Sequence, residues 1–283
     1  MSLLQVIVLA VIQGLAELLP VSSSAHVVVA EKLMGLDPSS PTMTLLLVML
    51  HTGTMFAVIV YFWKQWRATF FSSAEEFGRF AWRAILATAL TAVIGEALIK
   101  VIEHTIFKGV PHAQIEDLFG HLEIIAPALL AAGVLILVAG LAQGGKPDST
   151  RASEMSTGQA GVIGAVQGLC LPFRGFSRSG ATISAGMLAG VTKARAEAFS
   201  FALAVILTPP VVAREALRLR HADTTGFAHA AFPSLLGAVF AFLAGLLALR
   251  WLSAWLERGR WHYFGIYCLM ASGAVFYLHH IGY

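Results

Sequence analysis

The sequence predicts an all-α integral membrane protein, an inverted-topology repeat with two re-entrant helical hairpins and about six full transmembrane helices. Three observations carry that expectation. Of its 283 residues 57% are hydrophobic and only 12% charged, with mean hydropathy +0.75, whereas a soluble domain carries about twice that charge fraction. Six apolar stretches reach or approach the roughly 20 residues needed to cross a bilayer. Two further apolar regions are each broken midway by proline, glycine and hydroxyl residues.

The N-terminal stretch is apolar from Leu3 to Leu19 but contains Gln13 and Glu17. It lacks the basic start and small-residue cleavage site of a secretory signal, so it reads as a retained, working segment. Uninterrupted spans follow at 43–63, 81–104 and 122–143, and later at 230–250. Residues 197–217 form another span, in which Pro209-Pro210 predicts a kink. Residues 262–281 form the last. Glu96 lies inside a span and reads as a second buried polar position; Trp63, Trp66, Trp251, Trp255 and Trp261 read as interfacial anchors.

The broken regions are the informative ones. Gln13-Gly14-Leu15 recurs as Gln167-Gly168-Leu169, and in both copies a proline and a hydroxyl cluster follow, then more helix. The first copy reads Pro20-Val21-Ser22-Ser23-Ser24-Ala25-His26, the second Pro172-Phe173-Arg174-Gly175-Phe176-Ser177-Arg178-Ser179-Gly180-Ala181-Thr182. Proline stops the helix before it, and irregular backbone at membrane depth survives only inside protein or beside a wet cavity. Paired breaks in two chain halves point to a binding site at the repeat interface. Residues 3–35 and 158–192 are therefore expected as re-entrant hairpins in one membrane domain, 1–283, with repeats at about 1–145 and 156–283.

If each hairpin returns to the side it entered, 64–83, 143–156, 193–195 and 250–260 share one side and hold 11 Lys and Arg. The opposite side holds six: Lys32, Lys100, Lys108, Arg214, Arg218 and Arg220. The bias makes the first side cytoplasmic and both termini external. Net charge +3 and pI 9.0 thus read as topology signals rather than as a nucleic-acid surface. Cys170 and Cys268 lie in apolar surroundings without a pairing pattern and read as buried fillers.

Charged residues within a membrane are functional candidates by default, which selects Glu17, Arg174 and Arg178, with His26 as a titratable companion. Gln13 and Glu17, four apart, project from one helix face. Ser22, Ser23 and Ser24 open a second helix whose start attracts anions, and His26 follows Ser23 by three. Ser177, Arg178, Ser179 and Thr182 repeat the arrangement. Two helix starts, arginines and hydroxyls converging at one place suit a phosphate or diphosphate. A carboxylate there fits only as acid or base or beside a divalent ion. Gln13 with Glu17 could hold Mg²⁺ or Ca²⁺, and either Ser23 or a water could attack phosphorus, assisted by Glu17 or His26. The remaining histidines, His51 included, show no metal-ligand spacing; His51 reads as a pore-side or packing residue.

Gln13-x-x-x-Glu17 with Pro20-Val21-Ser22-Ser23-Ser24-x-His26, and Gly175-Phe176-Ser177-Arg178-Ser179-Gly180-Ala181-Thr182, resemble the two signature motifs of the bacterial undecaprenyl-pyrophosphate phosphatases, the bacitracin-resistance family. The similarity extends over nearly the whole chain. It implies hydrolysis of undecaprenyl diphosphate to undecaprenyl phosphate, recycling the lipid carrier for cell-wall synthesis. It also implies a bacterial inner-membrane location, a site facing the periplasm, divalent-cation dependence and a homodimer. By position Glu17, Ser23, His26, Ser177, Arg178 and Thr182 fall on the family's active-site residues. Catalysis is thereby assigned to Glu17, Ser23, His26 and Arg178, substrate binding to Ser22, Ser24, Arg174, Ser177, Ser179 and Thr182, and the metal to Gln13 and Glu17. Arg174 departs from the family pattern, in which many members have proline before the glycine. The competing reading is a transporter or flippase of a phosphorylated polyprenyl lipid, since an anionic cradle between re-entrant hairpins also suits passage. Glu17 and His26 beside a run of hydroxyls favour chemistry.

Overall fold

Helix formation is dictated by the solvent the sequence implies: in hydrocarbon every backbone N–H and C=O must be satisfied within the segment. A computed structural model describes residues 1–38, 40–106, 118, 120–142, 154–222, 224–257 and 260–283. Among these it contains ten helices and no strand: α1 Leu3–Leu18, α2 Ser23–Leu33, α3 Pro41–Thr69, α4 Ala74–Ile106, α5 Leu122–Ala142, α6 Thr157–Cys170, α7 Arg178–Leu188, α8 Lys193–Ala222, α9 Thr224–Glu257 and α10 Trp261–His280. Five are long and apolar enough to cross a membrane, in α3, α4, α5, α8 and α9. The sixth expected span is α10, whose 20 residues include His262, His279, His280 and three tyrosines; it does not reach the same apolarity. The protein is thus a multi-pass membrane protein of helices.

Two pairs of short helices stand apart from the long ones. The first pair, α1 with α2, and the second, α6 with α7, are each joined by a tight proline-containing turn. Both first helices open on the same device, a capping box: Ser2 with Gln5 at α1, Ser156 with Gln159 at α6. The serine hydroxyl and the glutamine side chain there satisfy each other's backbone N–H groups. Both second helices are 11 residues long and are followed by a glycine at positive φ, Gly35 and Gly190.

The long helices cradle these pairs. Helix α1 packs on α9 and α6 on α4, while α3 packs on α9 and α8, and α10 on α5. Small residues set the approach. A Cβ on Gly14 would lie 2.7 Å from the Ala241 carbonyl oxygen of α9, and one on Gly168 3.0 Å from that of Thr91 in α4. Such close contacts let dispersion and polar contacts replace a hydrophobic drive that lipid does not supply. Thr91 adds a polar link: its hydroxyl donates to Gly164 O at 2.9 Å and accepts from Gln167 Nε2 at 3.3 Å.

Two expectations need correction. Trp66 and Trp261 are not interfacial anchors but core residues, 5% and 1% exposed. Their indole N–H groups donate to Ala198 O at 3.1 Å and Ser184 Oγ at 3.0 Å, which allows full burial. Trp63 and Trp251 are exposed, as anchors should be; the Trp255 side chain lies outside the described residues. Glu96 is not buried: it stands exposed on α4, the least covered of the five spans. Arg214, Arg218, Arg220, His221 and His229 fall where side chains lie outside the described residues, as do Lys108 and His112 entirely.

The close glycine contacts give a direct test. A methyl on Gly53 would strike the Ala238 backbone of α9, and one on Gly164 the Ala87 backbone of α4. Gly53→Ala and Gly164→Ala are each expected to destabilise the protein by about 1–3 kcal/mol, read as a lower thermal unfolding midpoint in detergent. Gly273→Ala, where nothing lies within 4 Å, should leave the midpoint unchanged or raise it.

Candidate active site

The two proline turns meet. Helix α1 ends at Leu18, Leu19 is extended (φ −84°, ψ 152°), and Pro20 has no N–H with which to continue. Ser22 then takes φ 66° and caps α2, accepting from Ala25 N at 3.4 Å. In the second turn Ser177 takes φ 42° and caps α7, accepting from Gly180 N at 3.3 Å. These are the two non-glycine residues at positive φ among the described residues. Left-handed backbone costs a side-chain-bearing residue of order 1–2 kcal/mol, and such outliers gather where geometry matters more than stability.

The glycines of the second turn are there for space. Gly175 has φ 108°, and a Cβ on it would lie 2.5 Å from Ile125 O. A Cβ on Gly180 would meet Ile136 at 2.7 Å and the Pro20 carbonyl oxygen at 3.1 Å. The α7 start is thus pressed against the first turn. Ser179 Oγ closes the seam by donating to Leu19 O at 3.3 Å, and Gly175 N donates to Ser24 Oγ at 3.4 Å.

At this seam Glu17, on the last turn of α1, receives Arg178, the first residue of α7. Arg178 Nη2 donates to Glu17 Oε1 at 2.6 Å across 161 residues of sequence. Ser23 Oγ donates to Glu17 Oε2 at 2.5 Å, and Gln13 Nε2 to the same oxygen at 3.3 Å. The carboxylate side chain is 14% exposed and the guanidinium 24%, so the ion pair sits in a largely desolvated setting where it counts for more than on a surface. Arg178 also lies over the Phe201 ring, 5.9 Å from its centroid. Its Nη1 is buried without a hydrogen-bond partner, as is Gln13 Oε1. A spare guanidinium donor beside a hydroxyl that is already hydrogen-bonded to a carboxylate is equipped for an anion and for deprotonating that hydroxyl.

The other sequence-selected residues distribute around this centre. Ser22 Oγ lies 3.3 Å from Ser24 Oγ. Thr182 is fully buried, one turn behind Arg178; its hydroxyl lies 2.7 Å from Arg178 O and 2.6 Å from Ser200 Oγ. It braces the start of α7 rather than facing open space. His26 does not join Glu17: Nδ1 lies 2.7 Å from Ser22 O and Nε2 2.6 Å from the Tyr267 hydroxyl of α10. The charge of Arg174 acts on Glu31, a fully buried carboxylate of α2.

Three neighbours lie outside the sequence-selected set: His51, which reads there as a pore-side or packing residue, Ser200 and Tyr267. His51 of α3 holds its Nε2 3.6 Å from Glu17 Oε2 while Nδ1 donates to Leu47 O at 2.7 Å. Its intramembrane position was the one available signal. Ser200 and Tyr267 sit in apolar helices with no flanking motif, so nothing in the sequence marks them.

Comparisons with known proteins agree with the motifs. The profile of the family described as bacitracin resistance protein BacA matches residues 6–274. The chain is 58% identical over 282 residues to undecaprenyl-diphosphatase 2 of Acinetobacter baylyi, covering 97% of both chains. It is 34% identical over 289 residues to undecaprenyl-diphosphatase 2 of Burkholderia ambifaria, covering 98% of this chain and 96% of that one. To undecaprenyl-diphosphatase 1 of Burkholderia pseudomallei it is 35% identical over 284 residues, with 96% and 95% covered. With both turns, their glycines and the residues they bring to Glu17 inside the matched region, the chain belongs to the bacitracin resistance protein BacA family.

Proposed function

We propose that the protein is an undecaprenyl-diphosphate phosphatase of the bacterial inner membrane, releasing inorganic phosphate and returning undecaprenyl phosphate to cell-wall synthesis, with bacitracin resistance as a consequence. Near-full-length identity to named diphosphatases supports the activity. One observation supports the site: the Glu17–Arg178 pair joining the two proline turns, with Ser23 bonded to the same carboxylate.

The chemistry follows from those contacts. The diphosphate draws Arg178, whose Nη1 is already unpartnered, into a charge-assisted contact with phosphate oxygens. The N-termini of α2 and α7, with Ser22, Ser24, Ser177 and Ser179 around them, add dipoles and hydroxyls. Glu17 takes the Ser23 proton as Ser23 Oγ attacks the terminal phosphorus. The bond to the bridging oxygen breaks and undecaprenyl phosphate leaves. Water then cleaves the Ser23 phosphoester to give inorganic phosphate, with His26 as the second proton-handling group. Direct attack by water with Glu17 as base is the variant of this route that Ser23→Ala separates, since it would retain turnover. Thr182 holds the backbone from which Arg178 projects, and Arg174 adds a second cation for the substrate.

A divalent cation fits the donors only jointly with the substrate. Gln13 Oε1 is an orphaned buried oxygen beside the Glu17 carboxylate, while no group of three or more His, Cys, Asp or Glu able to hold a metal occurs among the described residues. Mg²⁺ commonly binds through one or two carboxylates plus substrate phosphates and water. Gln13 and Glu17 would hold it, and it would neutralise charge on the diphosphate.

The two-repeat reading supplies the frame. Matching capping boxes, matching serine caps at positive φ, and the pairings α1 on α9 and α6 on α4 support two hairpins of inverted topology meeting at the site. With 11 basic residues on the side of 64–83, that side is read as cytoplasmic, and the family resemblance implies a site open to the outer face. The family resemblance extends this reading to a homodimer.

Two outcomes test it. Purified protein in detergent should release phosphate from undecaprenyl diphosphate, with Glu17→Ala and Arg178→Ala each lowering turnover by about 10²–10³-fold while the protein stays folded, at an unfolding temperature lowered by the partner charge left alone. Wild-type turnover in both variants would remove the site, and lipid movement across vesicles without phosphate release would replace the enzyme by a flippase. Exhaustive EDTA treatment should suppress turnover and Mg²⁺ or Ca²⁺ restore it; full activity after chelation eliminates the metal.

A further inference from the structure

His26 is the motif residue that turns away from Glu17, and both of its nitrogens are engaged. The Ser22 carbonyl, 2.7 Å from Nδ1, can only accept, so Nδ1 carries the proton. In the neutral imidazole Nε2 then offers a lone pair, to which the Tyr267 hydroxyl donates at 2.6 Å. The two rings stack, their centroids 5.6 Å apart and their planes 11° from parallel. Ser22 is itself the strained cap of α2, so the imidazole is tied at one end to the first turn and at the other to α10.

Helix α10 is a fixed post rather than a mobile neighbour. Trp261 Nε1 donates to Ser184 Oγ of α7 at 3.0 Å, and Cys268 Sγ approaches Pro20 O at 3.5 Å. Ser272 Oγ donates to Ala126 O of α5 at 2.7 Å. These contacts bracket Tyr267 from both sides along the helix and join α10 to the first proline turn, to α7 and to α5. Tyr267 is 45% exposed, so protein does not enclose the outer edge of the pair.

We propose that Tyr267 is a positioning residue for the phosphatase reaction: while the Ser22 carbonyl holds the proton on Nδ1, the Tyr267 hydroxyl holds the His26 ring with Nε2 aimed and unprotonated. The partner of one imidazole nitrogen sets which nitrogen is reactive. A water that displaces the phenol and donates to Nε2 meets a base already oriented. The inference rests on the diphosphatase reading given above, and it assigns a role to a residue outside both motifs.

The test uses full-length protein in detergent, labelled with ¹⁵N-histidine, the His26 signals being assigned by their loss in His26→Gln. Wild-type His26 should show the Nδ1–H tautomer, and Tyr267→Phe, which keeps the ring stacking, should retain it while shifting the Nε2 resonance through loss of the hydrogen bond to that nitrogen. Tyr267→Phe should lower kcat about tenfold, the low end for losing a histidine's orienting partner, with KM changed less than about twofold. In the His26→Gln background the same substitution should add no further loss. A wild-type Nε2–H tautomer, undiminished kcat in Tyr267→Phe, or losses that multiply in the double variant would each overturn the proposal. The wild-type spectrum decides the tautomer even if Tyr267→Phe fails to fold. Absence of phosphate release by the wild type would instead overturn the diphosphatase reading beneath it, a result that the spectrum keeps distinct from a failure of the His26–Tyr267 pair.

Discussion

An ion pair between Glu17 and Arg178, 161 residues apart in sequence and 2.6 Å apart in space, is the constraint to which the rest of the structure answers. Neither charge is tolerable alone in a largely desolvated position. Bringing them together obliges two proline-broken segments to abut, and that obligation explains much of the local detail. Gly175 and Gly180 have no room for a Cβ, Ser179 reaches the Leu19 carbonyl, and Ser22 and Ser177 accept left-handed backbone. The stability given up at these positions is offset by the core around them: Leu18, Ile125, Ile136 and Phe201 are all almost fully buried.

Such a pair is also well suited to be opened. Arg178 contacts Glu17 through one nitrogen, while its second terminal nitrogen has no partner. On the proposed function, an arriving diphosphate competes for the guanidinium with more negative charge and more acceptor oxygens than a carboxylate offers. Glu17, released from its cation, becomes a stronger proton acceptor for the Ser23 hydroxyl it already holds. Binding and activation are then one event, because the group that recognises the anion is the group that had been restraining the base.

What the sequence revealed and what it hid divide along physical lines. Membrane class, the long spans and the proline breaks were legible because each depends on local composition and spacing: Pro20 and Pro172 end helices whatever surrounds them. Glu17 and Arg178 were legible because charge is rare in apolar sequence. The assignment of His26 to the Glu17 side was not, since helical spacing fixes a face but not the partner across it; here that partner is Tyr267, 241 residues away. Sequence position alone makes Trp66 and Trp261 read as interfacial anchors, because an indole N–H usually needs water. The backbone oxygen of Ala198 and the hydroxyl of Ser184 take its place, and only tertiary structure could reveal them. Glu96 failed the opposite way: its span was read correctly, but the direction its face points depends on how α4 packs.

The two turns share a backbone form yet carry different chemistry. Each has a serine at positive φ capping an 11-residue helix, and the first residue of that helix is Ser23 in one and Arg178 in the other. The same geometry aims both side chains at one carboxylate, a hydroxyl from one side and a guanidinium from the other. A helix start is a position where side chain, free N–H groups and dipole all point outward along one axis, so whatever residue stands there faces the ligand. Two such starts converging on Glu17 allow the hydroxyl and the cation, to which the proposed function gives attack and phosphate binding, to be changed independently. This accounts for a site in which neither turn alone is sufficient: the first lacks a cation, the second lacks a base, and the carboxylate at the end of α1 makes them one site.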